Sequence, residues 1–181
     1  MRLFLRLTQA VLSLTAAGAL ALAPQEQGAK SISAIPSGFH FDGSWSCAGT
    51  FRNGKPHRST MTGSIVVGDK WLELTEQDTE PATGYVAKYL IGYDAQQKQL
   101  VEFDANNFSA AAYSSTEGWK SDALTLTSPI NSDPKAPYAV SRFVFSIVNQ
   151  DTFTMDWQVS KSAQFSWVPA DHLVCKRGAQ S

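Results

Sequence analysis

Acidic residues inside predicted β-strands are the first candidates for chemistry in this chain. Two carboxyl groups that face each other inside a barrel can act as general acid and general base, as in an isomerase or cyclase, or bind a cation. The acidic residues in question are Glu73, Glu102, Asp104, Asp122 and Asp156. Alternation around Asp156 places it on the solvent side, and we expect the others there as well. A lumen acid–base enzyme is therefore an alternative and not the first expectation.

The histidines and the known catalytic motifs add little to this chemistry. His40, His57 and His172 lie on widely separated segments, so the sequence predicts no multi-histidine metal site. The chain has no G-x-S-x-G elbow, no glycine-rich nucleotide loop, no H-E-x-x-H and no C-x-x-C motif. The sequence therefore favours a protein that is not an enzyme and carries no metal or cofactor.

The elements that must position these side chains show a period of two residues. In residues 153–159 every odd position is apolar and every even position is polar, and residues 85–93 alternate in the same way. Turn-forming residues interrupt such runs about every eight to twelve positions, and no stretch keeps a helical repeat. The pattern predicts an all-β fold.

Turns divide the chain into ten predicted strands. They cover residues 40–51, 58–67, 70–77, 85–93, 99–105, 108–115, 122–129, 138–148, 152–159 and 165–176. Short connections favour pairing of each strand with the next, and a long meander removes its exposed edges by closing on itself. We predict an antiparallel up-and-down β-barrel of about ten strands over residues 39–177.

The N-terminal residues predict export. Residues 1–23 combine Arg2 and Arg6 with an uncharged Ala/Leu-rich run, which is typical of a secretory signal peptide and too short for a stable membrane span. No cysteine follows this run, so we expect no lipid anchor. Residues 24–38 are small and polar with two prolines, which indicates a flexible leader. We expect a periplasmic or secreted protein.

Export changes the interpretation of the two cysteines. In an oxidising compartment Cys47 and Cys175 are expected to form a disulfide. In a closed meander with an even number of strands, the first and last strands are antiparallel neighbours, so the beginning of one lies beside the end of the other. Cys47 lies on the first predicted strand and Cys175 at the end of the last. We therefore predict a disulfide that crosses the seam of the barrel.

Composition excludes two classes of protein. The chain has 181 residues, 43% hydrophobic and 17% charged, with a formal net charge of −1. This hydrophobic content argues against disorder, and the absence of a basic excess argues against nucleic acid as a partner. Without Arg2 and Arg6, 13 basic residues would remain against 16 acidic ones, a net charge of −3.

Gly43-Ser44-Trp45 resembles the Gly-x-Trp segment of the calycin superfamily, to which the lipocalins belong. Over about residues 39–176 the chain is more similar to an uncharacterised family of bacterial exported calycin-like proteins. The matching segments are residues 43–49, 68–72, 91–94, 118–126 and 142–147. The resemblance implies a calycin-type barrel with structural roles for Gly43 and Trp45. It also implies that Lys176 or Arg177 packs over the Trp45 ring.

A second resemblance concerns His172. Small haem-binding calycins of the nitrobindin type use a histidine late in the chain as the iron ligand within a ten-stranded barrel. His172 lies near the end of the last predicted strand. The resemblance implies, as an alternative function, a haem or gas-binding barrel with His172 as the proximal ligand at its mouth. The other interpretation is a surface histidine beside Asp171.

Aromatic side chains dominate the positions that alternation places inside the barrel. Barrels of this size either fill with side chains or hold one small ligand. Aromatic walls with hydroxyl groups suit an apolar ligand that carries one polar group. Together with the resemblance, this leads us to expect a small hydrophobic molecule as the partner. The predicted lining residues are Tyr89, Phe103, Phe143 and Trp157. The sequence leaves the ligand and the oligomeric state open.

Overall fold

Antiparallel strands form the architecture of the protein, whose computed structural model describes residues 32–162 and 164–178. There are eleven strands in this part of the chain. They are β1 Gly43–Phe51, β2 Pro56–Val66, β3 Trp71–Glu80, β4 Val86–Asp94, β5 Gln99–Asn106, β6 Ala110–Ser115, β7 Trp119–Lys120, β8 Ala123–Thr127, β9 Val140–Asn149, β10 Thr152–Ser160 and β11 Val168–Arg177. The predicted signal peptide and residues 24–31 of the predicted leader lie outside the described residues.

The strands form one closed antiparallel barrel. Neighbours in sequence pair from β1 to β6 and from β7 to β11, and β1 pairs with β11. Ser114 of β6 pairs with Thr127 of β8, which closes the barrel through ten strands and leaves the two-residue β7 outside it. The prediction of an all-β up-and-down barrel of about ten strands is confirmed.

The predicted disulfide lies on the β1–β11 pair. Cys47 and Cys175 are directly opposite each other in the register and form a disulfide that encloses a sequence separation of 128 residues. Both side chains are buried. The predicted seam disulfide is confirmed, and it joins the first barrel strand to the last.

One end of the barrel is packed solid by aromatic rings. Phe39 and Phe41, just before β1, contact Trp45 and Phe153 with ring centroids 5.1–6.3 Å apart, and the Trp45 and Phe153 rings lie 4.9 Å apart. The Arg177 guanidinium lies 4.2 Å over the Trp45 ring and donates hydrogen bonds to the carbonyls of residues 40 and 42. Arg177 is therefore the basic residue that packs over Trp45. We call this end the plugged end.

Residues 32–38, which were predicted as part of a flexible leader, also lie against the plugged end. Ala34 is buried, and its carbonyl accepts a hydrogen bond from Trp119 Nε1 at 3.0 Å. Gln150 Nε2 donates to the Gly38 carbonyl at 3.0 Å. Gly43 enters β1 with φ +106°, a backbone conformation that favours glycine. The described part of the leader therefore contributes to the core.

Candidate functional site

Inward-facing side chains change from apolar to polar toward the end of the barrel opposite the plugged end. The change occurs on four strands. The inward series are Met61, Ser59 and His57 on β2; Leu72, Leu74, Glu76 and Asp78 on β3; Leu100, Glu102 and Asp104 on β5; and Cys175, Leu173 and Asp171 on β11. We call this second end the polar end. Titratable groups are therefore brought together there.

A cavity of about 420 Å³ opens at the polar end. Its wall combines aromatic rings with acidic side chains. The rings belong to Phe51, Tyr85, Tyr89, Phe108, Tyr113, Tyr138, Phe143 and Trp157, and the ionisable non-aromatic residues are His57, Glu76, Asp78, Asp104 and Asp171. Because the other end is plugged, we take this cavity as the candidate site.

His57 lies at the centre of the polar wall and is 4% exposed. Its Nδ1 lies 2.9 and 3.0 Å from the two carboxylate oxygens of Asp171, and its Nε2 lies 2.9 Å from Asp78 Oδ1. The Phe51 ring stacks on the imidazole with centroids 4.3 Å apart. Both ring nitrogens are thus engaged by carboxylates.

The charge of His57 follows from these contacts. Burial alone would lower its pKa, but the hydrogen bonds and negative charges of Asp171 and Asp78 outweigh burial and raise the pKa to about 9. His57 is therefore an imidazolium at neutral pH, and it donates from both nitrogens. In this state it has no lone pair for a metal ion and cannot act as a general base.

Glu76 is the most buried acid of the cavity wall and is 1% exposed. Ser59 Oγ donates to its Oε1 and Tyr89 Oη to its Oε2, each at 2.7 Å. Burial raises the pKa of Glu76, and these hydrogen bonds and the charge of His57 offset part of the rise. Burial also raises the pKa of Tyr89, so its hydroxyl remains a donor.

His57, Glu76 and Asp78 form a possible cation site. One ligand atom from each lies within 4.8 Å of the others, a spacing compatible with a shared divalent ion. The His57 imidazolium already supplies a positive charge at this position. A metal ion would have to displace its proton before binding, so the geometry favours the ion pair over a metal centre.

Asp104 faces the cavity from β5 and is 7% exposed. Its one hydrogen bond among the described residues comes from Asn106 Nδ2 to Oδ1 at 3.4 Å, which is weak. Burial raises the pKa of Asp104, and Asn106 offsets part of this effect. Asp104 is thus an acid with spare hydrogen-bonding capacity at the cavity wall.

Glu102 lies one inward position deeper on β5 and is 0% exposed. Neither carboxyl oxygen has a hydrogen-bond partner among the described residues. Burial, with a smaller contribution from the charge of Asp104, raises the pKa of Glu102 well above its usual range. Burial therefore favours the protonated, neutral form of Glu102.

The prediction that Glu102 and Asp104 face solvent is wrong, and so is the prediction that Phe103 lines the lumen. Phe103 is 50% exposed on the outer face, where its ring stacks on Trp71 with centroids 6.4 Å apart. Trp71 in turn covers Gly92, where any side chain would collide with the indole. This outer stack gives Phe103 apolar contacts outside the barrel, so the acids of β5 turn inward.

The three other predicted lining residues do line the cavity. The rings of Tyr89 and Phe143 meet edge to face with centroids 5.5 Å apart. Trp157 contacts Tyr138 edge to face at 5.6 Å, and its buried Nε1 has no hydrogen-bond partner among the described residues. The aromatic part of the wall therefore contains one buried donor that no described residue satisfies.

His172 lies on the outside of the barrel. It is a neighbour in sequence of inward-facing Asp171 and Leu173 and therefore points to the opposite face. Its side chain is 44% exposed, and its Nδ1 lies 2.7 Å from Asp156 Oδ1 on the same face. The alternative in which His172 binds haem inside the barrel mouth is wrong. Asp156 does face outward as predicted.

The sequence interpretation missed His57, Glu76, Asp78 and Asp171 as members of one site. The sequence does contain a signal for them. Each residue lies two or four positions from an apolar inward-facing residue of its own strand and therefore faces inward as well. Extending the parity of Leu72 and Leu74 along β3, for example, places Glu76 and Asp78 inside. The search for apolar faces does not detect these positions, because their side chains are polar.

Comparisons with known proteins give no assignment. No model of a known protein family matches the chain, and no curated protein matches its sequence. Within residues 32–162 and 164–178, no helix is long and apolar enough to cross a membrane. The relationship to the calycin superfamily stays a prediction, and the case for function depends on the cavity.

Proposed function

We propose that the protein is a non-enzymatic barrel that binds one small molecule in the cavity at its polar end. The observation that carries this proposal is the cavity of about 420 Å³ in a barrel whose other end is plugged. Ligand pockets usually measure about 300–1,000 Å³, so the site suits a small ligand. A barrel filled by its own side chains would have no such space.

The wall supports a ligand with an apolar body and a polar group. Phe108, Phe143 and Trp157 present ring surface to the cavity. Acidic side chains occupy other parts of the wall. The ligand is therefore more polar than the simple hydrophobic molecule expected from the aromatic residues alone.

We further propose that the protein is exported to the periplasm or the cell exterior and is related to the calycins. The buried Cys47–Cys175 disulfide supports an oxidising compartment. The signal-like residues 1–23 and the Gly43-Ser44-Trp45 segment support the same proposal. The Arg177 contact with Trp45 is the arrangement that the calycin resemblance implies.

The test of binding is native mass spectrometry of the purified protein after incubation with a total lipid and small-molecule extract. We expect one ligand per barrel, released when the protein is unfolded. A spectrum with only the unliganded mass after extracts from several sources would contradict the proposal. An unrelated protein of similar mass, incubated in the same extract, controls for nonspecific adducts.

A lumen acid–base enzyme is the second candidate, and Glu76 is the observation that favours it. Glu76 has a raised pKa and lies in the cavity wall beside the Tyr89 hydroxyl. A raised pKa makes a carboxyl group more available as a proton donor to a bound molecule. The test is deuterium uptake from D2O into a ligand recovered from the barrel. Uptake that is lost in Glu76→Gln would support the enzyme, and no uptake by the wild type would exclude proton transfer to carbon.

A further inference from the structure

We propose that the ligand is an organic cation, a protonated amine on an apolar body, whose ammonium group binds at Asp104. This inference rests on the proposed function, because it specifies the ligand class of the same cavity. It starts from the charges of the wall. Four carboxyl groups line the cavity, and His57 is the one basic side chain among its lining residues.

Both ring nitrogens of the His57 imidazolium donate hydrogen bonds to neighbouring carboxylates, so neither is available to a ligand. It lies between Asp171 and Asp78 with contacts of 2.9–3.0 Å on both sides, so one positive charge meets two negative ones. No lysine or arginine side chain is among the lining residues. The cavity therefore has an excess of acidic groups before any ligand enters.

Among the four acids that line the cavity, Asp104 has the weakest hydrogen bonding to the rest of the described protein. Both oxygens of Glu76 accept short hydrogen bonds from Ser59 and Tyr89. Asp104 is 7% exposed, yet its Oδ2 has no hydrogen-bond partner among the described residues and Oδ1 has one weak contact from Asn106. A buried carboxylate with a free oxygen is costly unless a donor reaches it. An ammonium group supplies both the hydrogen bond and the charge.

Aromatic rings line the same cavity as this acid and favour an organic cation over a bare metal ion. Tyr85 stacks on Phe108 with centroids 6.1 Å apart, and both line the cavity with Tyr113 and Asp104. Ring faces attract ammonium groups and cover their alkyl or aryl bodies. A metal ion needs several oxygen or nitrogen ligands, whereas Asp104 offers one carboxylate in a wall of rings. An anionic ligand would be repelled by the same carboxyl groups.

The experiment is calorimetric titration with three probes that share a phenyl ring and a short chain but differ in charge. The probes are 2-phenylethylamine, 2-phenylethanol and 3-phenylpropanoate. We expect the amine to bind about tenfold to a hundredfold more tightly than the alcohol, as for a hydrogen bond to a charged group, and the carboxylate to bind weakest. The preference for the amine should shrink in high salt.

Asp104→Asn is the matched variant, because it keeps the shape of the side chain and removes its charge. It should reduce the affinity for the amine to that for the alcohol. Asp122→Asn is the control, since Asp122 is an exposed aspartate that does not line the cavity. It should keep the wild-type preference. If Asp104→Asn fails to fold, the probe series on the wild type decides the question alone.

The outcomes separate this inference from the proposed function. Equal affinity for the amine and the alcohol would overturn the inference and leave a barrel that binds neutral molecules. Capture of neutral or anionic species alone from the extract, with no binding of the amine, would also overturn the inference and leave the proposed function standing. Capture of a cationic species would support the inference. If neither the probes nor the extract yields a bound molecule, both proposals fail.

Discussion

His57 couples the acidic wall of the cavity to the stability of the fold. Its pKa is raised from 6.5 to about 9 on folding, so the folded protein holds this proton more tightly than the unfolded chain does. The stabilisation is complete below about pH 6.5 and is lost as the pH rises through about 9. A shift of this size corresponds to a free energy on the order of 3 kcal/mol. His57 therefore contributes most to the stability of the folded protein at mildly acidic pH.

We expect Asp171→Asn to weaken this dependence, because it removes one of the two carboxylates that hold the imidazolium. The difference in the free energy of unfolding between wild type and variant should be largest near pH 6 and shrink toward pH 9. Urea denaturation at several pH values measures it. A difference that stays constant from pH 6 to pH 9 would show that His57 does not titrate in this range.

Glu102 is a buried acid whose carboxyl oxygens have no hydrogen-bond partner in the part of the chain that the structure describes. It is 0% exposed, and its pKa is raised well above 4.5. The unfolded chain releases this proton at a lower pH than the folded protein, so Glu102 destabilises the fold increasingly as the pH rises above about 4.5.

Replacement of Glu102 by leucine should therefore stabilise the protein at pH 7 by about 1–3 kcal/mol, the usual cost of a buried polar group without a partner. Glu102→Gln should leave the protein with a weaker pH dependence between pH 4.5 and 8, because it removes the titration and keeps a polar group. Denaturation curves at pH 4.5 and 8 are the measurement. Loss of stability in Glu102→Leu at pH 7 would mean that Glu102 has a partner in solution.

Strand β5 is the element whose two faces the sequence does not identify correctly. In residues 100–104 the apolar Val101 and Phe103 alternate with Glu102 and Asp104, so simple patterning places the apolar pair inside. The fold places them outside because Trp71 on β3 supplies an apolar surface for Phe103. A contact between strands that are distant in sequence is invisible to a pattern within one strand.

Paired substitutions on β5 test this register. Leu100→Ala should cost about 2–5 kcal/mol, because Leu100 is fully buried. Phe103→Thr should cost about 1 kcal/mol or less, because the ring is 50% exposed. Thermal or urea denaturation of both variants gives the comparison. A larger loss for Phe103→Thr would mean that Phe103 faces the core.

Most other elements follow from the sequence, because alternation is strict where one face is apolar. On β10 the inward residues Phe153 and Met155 are buried and Asp156 faces outward, as the pattern predicts. A search for apolar faces does not assign the polar ends of β2, β3 and β11, since their inward residues are polar; only the continued alternation of each strand places them inside. The candidate site lies at these ends. Three of the predicted aromatic lining residues are in it, but its ionisable residues were missed because they are polar residues at inward positions.

At the scale of the whole molecule, the disulfide fixes the closure of the barrel. Cys47–Cys175 encloses 128 residues, nearly the whole folded domain. Chain-entropy reasoning gives a loop of this length about 4–5 kcal/mol of stabilisation, which is an upper value. The prediction of closure from sequence succeeded because the strand count and the cysteine positions are both properties of the whole chain.

The double variant Cys47→Ala, Cys175→Ala should therefore unfold at a clearly lower denaturant concentration than the wild type. The β1–β11 hydrogen bonds remain possible in the variant, so its circular dichroism should still indicate strands. Equal midpoints for the oxidised wild type and the variant would contradict a stabilising role. A thiol assay of the unreduced, denatured wild type controls for free cysteine and should detect none.

The central claim is that the cavity at the polar end is a ligand site, and a matched pair of alanines on β6 tests it most directly. Ala111 lines the cavity, whereas its neighbour Ala112 is not among the lining residues, and both alanines are exposed. Ala111→Trp should fill the cavity with an indole, and Ala112→Trp should add the same ring outside. Both variants and the wild type are compared for ligand capture by native mass spectrometry. We expect wild type and Ala112→Trp to retain the ligand and a folded Ala111→Trp to lose it; retention of the ligand by Ala111→Trp would contradict binding in the cavity.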